Sequence, residues 1–188
     1  MPTVNEAVLS MDASWESINR TSSALGIKPA DRILIVSIGL STLRFIRNHK
    51  LVKSYIISTS IRPPSNVAHS LGTPRGLHEI AERIGGGQPS GMVFRSRVST
   101  GVHFSEITDS KDETGLITSR ILWLSGLEPG VNAGGTVDTH ARYIYIHGTN
   151  REDRIGQPAS AGCVLMRNLD IVELYEEVRT GDMVWIED

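Results

Sequence analysis

Cys163 is the only cysteine among 188 residues, so it closes no internal disulfide and builds no thiolate metal cage. The chemistry open to a single thiol is nucleophilic attack, which needs a nearby base and a backbone that exposes the sulfur. Both requirements have candidates. His147 lies 16 positions upstream in His147-Gly148-Thr149-Asn150, and Cys163 closes the turn Ser160-Ala161-Gly162-Cys163. Gly148 lets the chain bend after the imidazole, and Gly162 permits unusual dihedrals and close approach of a substrate. Such a pair serves acyl transfer through a thioester, with His147 as base or as ion-pair partner. Amides of Gly162 and Cys163 are candidates to stabilise an oxyanion, and Ser160, Gly148 and Thr149 would shape the pocket.

The elements that must present these groups follow from the pattern. Residues 4 to about 26 recur apolar at three- and four-residue spacing and predict a helix ended by Leu25-Gly26. From Arg32 the run becomes short and β-branched. Segments 32–38, 42–46 and 51–57 predict an antiparallel meander. Residues 58–76, with three prolines and two glycines, predict a long loop. Further strands are expected at 77–84, 91–94, 116–124 and 142–146, the last delivering His147 from its end. Residues 105–114 are expected as an exposed loop. Asn168 is placed as the N-cap of a helix over 169–178, Gly181 as its stop, and 183–186 as a closing strand. The domain reading is a helical extension over 1–30 and one mostly β (α+β) domain over 31–188.

Composition removes other classes. Hydrophobic residues make up 39%, charged 21%, and the formal net charge is −2, so nothing favours nucleic acid or an anionic membrane. Aromatic residues are only 5%, too few for base-stacking platforms. Gly85-Gly86-Gly87 lacks the Gly-Lys-Ser/Thr of a phosphate loop. The histidines do not cluster with carboxylates, so no metal site is expected. No transmembrane segment and no secretory signal are visible. Papain-type order is excluded, since there the cysteine precedes its histidine. His140 is expected as a strand-end surface residue, Tyr143 and Tyr145 as packing residues, and Asp138-Thr139 as shaping the preceding loop. Arg62, Arg75 and Arg95 are expected to be solvated.

His147-Gly148-Thr149, Ile155-Gly156, Ser160-x-Gly162-Cys163-Val164-x-Met166, Asn168, Asp170 and Leu174-Tyr175 together resemble the signature of the L,D-transpeptidase (YkuD) catalytic domain. The resemblance runs from about residue 31 to 187, through Thr73-Pro74-x-Gly76 and Gly181-x-x-Val184-x-Ile186. It implies a β-sandwich-like fold with an N-terminal helix outside it and a helix following the catalytic cysteine. It implies peptidoglycan stem peptides as partners, a location in the cell envelope or periplasm, and no organic or metal cofactor. Cys163 would attack the carbonyl after an L-centre, His147 would be the base, and a backbone carbonyl often serves as third partner. The acyl acceptor would be a stem amine, a lipoprotein amine or water. Two positions depart from the family's Ser-His-Gly-Cys-Ile/Val-Arg: Ala161 replaces the His and Leu165 the Arg. Losing that Arg removes a fixed cation able to hold a carboxylate, so the alternative to an enzyme is a catalytically weakened domain that binds peptidoglycan. Arg167 is expected to point elsewhere. The oligomeric state is not set by the sequence.

Overall fold

A computed structural model describes residues 4–107 and 115–188, with side chains of the first helix described from residue 13 onward. Helix α1 (Val4–Leu25) is followed by strands β1 (Arg32–Ser37), β2 (Thr42–Arg47), β3 (Lys50–Ile56), β4 (Gly76–Ile84), β5 (Met92–Arg95), β6 (Val98–His103), β7 (Ile117–Gly126), β8 (Tyr145–Thr149) and β9 (Val164–Met166). Helix α2 (Asn168–Glu177) and strand β10 (Met183–Glu187) complete the chain. The fold is mostly β with one helix at each end of the sequence, as expected.

The main hydrogen-bonded path runs β3-β2-β1-β10-β4-β7-β5-β6, and β8 then β9 branch from β7. β1, β2 and β3 form the expected antiparallel meander. The last strand enters beside the first, β10 parallel to β1. This position buries both faces of β1, which explains its unbroken apolar run. Its residues alternate between two cores. Leu34 and Val36 join Phe45, Leu122, Ile146, Val164, Met166 and α2 residues Ile171 and Leu174. Strands β1 and β2 therefore share one core with β7 and the branch strands β8 and β9, with α2 set into it.

Ile33 and Ile35 face the other way, onto Ile18 of α1, with Ile46, Leu77 and Met183. Ile18 is fully buried, so α1 is packed onto the sheet. Replacing it by alanine should cost about 2–5 kcal/mol. Gly26, at φ 67°, stops α1, with the Ile27 amide reaching back to the Ser22 carbonyl.

Several local expectations shift. β6 and β9 were not visible in the pattern, because β6 is largely exposed and β9 has only three residues. The strand expected over 142–146 is instead Tyr145–Thr149, preceded by a turn in which Tyr143 adopts φ 56°. His147 therefore sits in the middle of a strand. The turn also takes His140 off the strand at whose end it was expected. Asn168 is not an N-cap: it is the first residue of α2, and Arg167 occupies the cap position without a side-chain bond. Helix α2 ends at Val178, before Gly181, which serves the following turn. Of the loop expected over 105–114, residues 108–114 lie outside the described residues.

Candidate active site

The turn carrying Cys163 is held by Ser160. The buried Ser160 Oγ donates to the Cys163 carbonyl at 2.6 Å and accepts the Gly162 amide at 3.2 Å. The Gly162 amide, one of the two expected oxyanion donors, is thus engaged within the turn. Gly162 has φ 124°, and a Cβ there would lie 3.1 Å from Ile144 Cδ1, so only glycine fits without strain. After the turn, β9 runs parallel to β8 with Ile146 opposite Val164 and His147 opposite Leu165. Leu165 is buried, and its backbone pairs with Ser58 in both directions at 2.8 and 3.0 Å. Ala161 is exposed and lines a cavity.

This pairing brings the sulfur against the start of β8. Cys163 Sγ accepts the Tyr145 amide at 3.4 Å and donates to the Tyr143 carbonyl at 3.6 Å. The residue is partly exposed and packs beside Phe94, Ile121, Trp123 and Tyr145. Burial pushes the thiol up to about 11, opposed by the Tyr145 amide and by the charge of Arg142.

Tyr145 and His147 share a face of β8, one strand repeat of about 7 Å apart, and their rings meet edge-on at 6.3 Å. His147 is 5% exposed. Its Nδ1 donates to the Gly148 carbonyl at 2.7 Å. That bond assigns the proton to Nδ1 and leaves Nε2 as the unprotonated nitrogen. Burial lowers the imidazole to about 4, against the Gly148 bond, which raises it. At neutral pH the two groups are therefore a neutral thiol and a neutral imidazole. The sequence left base and ion pair open; this electrostatics favours the base.

A buried polar network holds His147 in place. Gly148 packs so closely that a Cβ would lie 2.7 Å from the Thr118 carbonyl and 2.9 Å from Asn168 Oδ1. Asn168 Oδ1 accepts from the Thr118 and Ser119 hydroxyls at 2.6 and 2.5 Å. Its amide nitrogen donates to the Thr149 carbonyl and to Glu152 Oε1 at 2.8 and 2.6 Å. Glu152 also receives the Asn168 backbone amide at 2.7 Å, which supplies the start of α2 with an acceptor. Thr149 is fully buried and receives the Arg151 amide, so it supports the strand end.

Other residues surround the sulfur. Trp123 stacks on His140 at 3.9 Å and 5° and meets Tyr145 edge-on. Arg97 lies 4.6 Å from the Trp123 ring and 5.3 Å from Tyr143, and donates to the Tyr145 hydroxyl at 3.3 Å. Asp138 accepts the amides of Gly134 and Ala141, while Thr139 meets the buried His78 at 3.1 Å. They shape the loop before β8, as expected. Arg142, Arg97 and the Asn168 network carried no local signal as site residues; their positions depend on partners far along the chain.

Comparison with known proteins places this arrangement. Residues 31–186 match the sequence model of the YkuD family, the L,D-transpeptidase catalytic domain, and the chain belongs to that family. YqjB of Bacillus subtilis, which carries a provisional L,D-transpeptidase assignment, is 41% identical over 59 residues. That match covers 31% of this chain and 32% of YqjB. Two solved structures share the fold. L,D-transpeptidase 3 of Mycobacterium tuberculosis, with a faropenem-derived adduct, has a TM-score of 0.53 at 14% identity, covering 84% of this chain and 60% of its own. An L,D-transpeptidase of Xylanimonas cellulosilytica has a TM-score of 0.51 at 17% identity, covering 85% and 61%. The chain thus spans less than two thirds of each of these proteins.

Proposed function

We propose that this chain is a peptidoglycan L,D-transpeptidase that forms a thioester between Cys163 and a stem tetrapeptide. Family membership supplies the reaction class. The observation that carries the assignment is an anchored imidazole two residues along β8 from Tyr145, whose amide meets the single thiol: Nδ1 fixed on the Gly148 carbonyl, Nε2 unprotonated. That carbonyl fills the role of the family's third partner.

In the proposed reaction, Cys163 Sγ attacks the carbonyl that follows the L-centre, and His147 Nε2 takes the thiol proton. The tetrahedral oxyanion is met by the Cys163 amide at the turn. Collapse breaks the amide bond, and the imidazolium returns its proton to the departing amine of the D-residue. An incoming amine loses a proton to His147 and attacks the thioester, which restores the thiol. The resting pair is neutral, so proton transfer accompanies attack, and charge develops only as the bond forms. We assign residues 31–188 to this catalytic domain and 1–30 to an N-terminal extension, which Ile18 docks onto it. The family's cell-wall association supports a substrate in the cell envelope; no described helix is long and apolar enough to cross a membrane.

Intact mass spectrometry after incubation with a carbapenem should show one covalent adduct, absent in Cys163→Ala. A folded wild type that stays unmodified would refute the proposal. With stem peptides, crosslinked dimers identify an amine acceptor, whereas shortened monomers identify water and an L,D-carboxypeptidase.

A further inference from the structure

A cavity of about 320 Å³ opens beside the cysteine turn. Ala68, His69, Leu71, Asp138, Arg142 and Ala161 are among its walls. Ala161 lies two positions before the nucleophile. Tyr143, also in the wall, offers its carbonyl to Cys163 Sγ. The cavity is therefore walled by residues that neighbour the reacting atom.

Arg142 is half-buried in this wall and held entirely by neutral acceptors. Its guanidinium donates to the Ser65 carbonyl at 3.0 Å, to Ser70 Oγ at 3.4 Å and to the Gly72 carbonyl at 2.6 Å. None of its bonds goes to a carboxylate among the described residues. Asp138 is near, but its two oxygens hold the Gly134 and Ala141 amides at 2.8 Å each. A guanidinium has five N–H donors, and three bonds leave capacity for a further acceptor. A charge removed from water without an opposite charge is costly, and an anionic ligand offsets that cost. The charge also reaches the sulfur: Arg142 is one of the groups that lower the Cys163 thiol. The cysteine turn itself offers no alternative cation, since Ala161 and Leu165 occupy its two departing positions.

We propose that Arg142 is the specificity-determining residue of this site, holding a free carboxylate of the acyl donor in the cavity beside Cys163. The proposal rests on the acyl-transfer reading above. Its three backbone and hydroxyl anchors fix the planar fork before substrate arrives, which favours a carboxylate over a neutral carboxamide. A tetrapeptide acyl donor can carry two carboxylates close to the scissile bond: the C-terminus of the departing residue, and a side-chain acid on the acylating residue.

Binding can be separated from turnover by calorimetry on Cys163→Ala protein with three synthetic tetrapeptides. One carries both acids, one a C-terminal carboxamide, and one a side-chain carboxamide. One of the two amidations should weaken binding about tenfold or more, and it identifies which carboxylate is held. Adding Arg142→Gln should erase that difference, and Arg142→Lys should restore only part of it. Equal affinities for all three peptides in Cys163→Ala overturn the proposal, as does failure of the diacid peptide to bind. An equal loss for all three on adding Arg142→Gln also overturns it, marking Arg142 as an anchor of the 65–72 loop alone. Acid discrimination by a protein that never forms a Cys163 adduct sinks the acyl-transfer reading and leaves the carboxylate site standing.

Discussion

The pH at which Cys163 becomes reactive tests whether the site rests as a neutral pair or as thiolate and imidazolium. Burial lifts the thiol from 9.0 to about 11 and holds His147 at about 4. Two units upward means about 100-fold less thiolate at neutral pH than in an unperturbed cysteine. The protein has one thiol, so every alkylation event reports this site. Iodoacetamide modification, followed by intact mass between pH 6 and 10.5, should be slow near neutrality. It should climb about tenfold per unit without a plateau below about pH 10. The same protein unfolded in urea should react faster at pH 7 to 8 and level off near the ordinary thiol value. Carbapenem acylation should not share this dependence, because His147 removes the proton during attack. Its rate should fall only as pH approaches about 4 and the base is occupied. An alkylation inflection between pH 6 and 8 would mean a resting ion pair and refute the reasoning.

Three other outcomes follow. Replacing Asn168 by alanine removes the acceptor of two buried hydroxyls and one donor each to the Thr149 carbonyl and Glu152; urea denaturation should show a loss of about 2–4 kcal/mol. Gly148→Ala should reduce carbapenem acylation sharply while the protein still folds, since the added Cβ meets the Thr118 carbonyl 2.7 Å away; unchanged acylation would mean His147 tolerates displacement. His78 and His147 are both lowered from 6.5 to about 4. The unfolded chain therefore binds more protons between those values, so their contribution to stability is complete above about pH 6.5 and disappears as pH falls through about 4. It amounts to roughly 3–4 kcal/mol for each histidine at about 1.4 kcal/mol per unit; equal melting temperatures at pH 7 and 4.5 would contradict it.

The strands of the meander were legible because β1 carries a continuous apolar run and β2 alternates, each over a short length. β6 and β9 were not: one is exposed on most residues, the other too short to show a period. The turn before β8 was misplaced because Ile144 and Tyr145 alternate correctly for a strand, whereas the break lies in the positive φ of Tyr143, a property of the backbone. Asn168 has the right residue type for a helix cap. Its side chain is instead consumed by Thr118, Ser119, Thr149 and Glu152, three of which come from other elements and all of which are at least 16 positions away.

Cys163 and His147 needed no coordinates to be suspected, because a lone thiol and a His-Gly pair set by glycine-bearing turns are local features of the chain. Local features survive in the linear order. What surrounds the thiol could not be read that way. The neutrality of the pair comes from burial by distant strands, the tautomer of His147 from the Gly148 carbonyl of a strand paired between β7 and β9, and the cation at the cavity from Arg142. That cation replaces nothing in the linear motif: it arrives from the turn before β8 and is held by a loop 70 to 77 residues upstream. Electrostatics depends on distance and solvent exclusion, and both are properties of the folded chain.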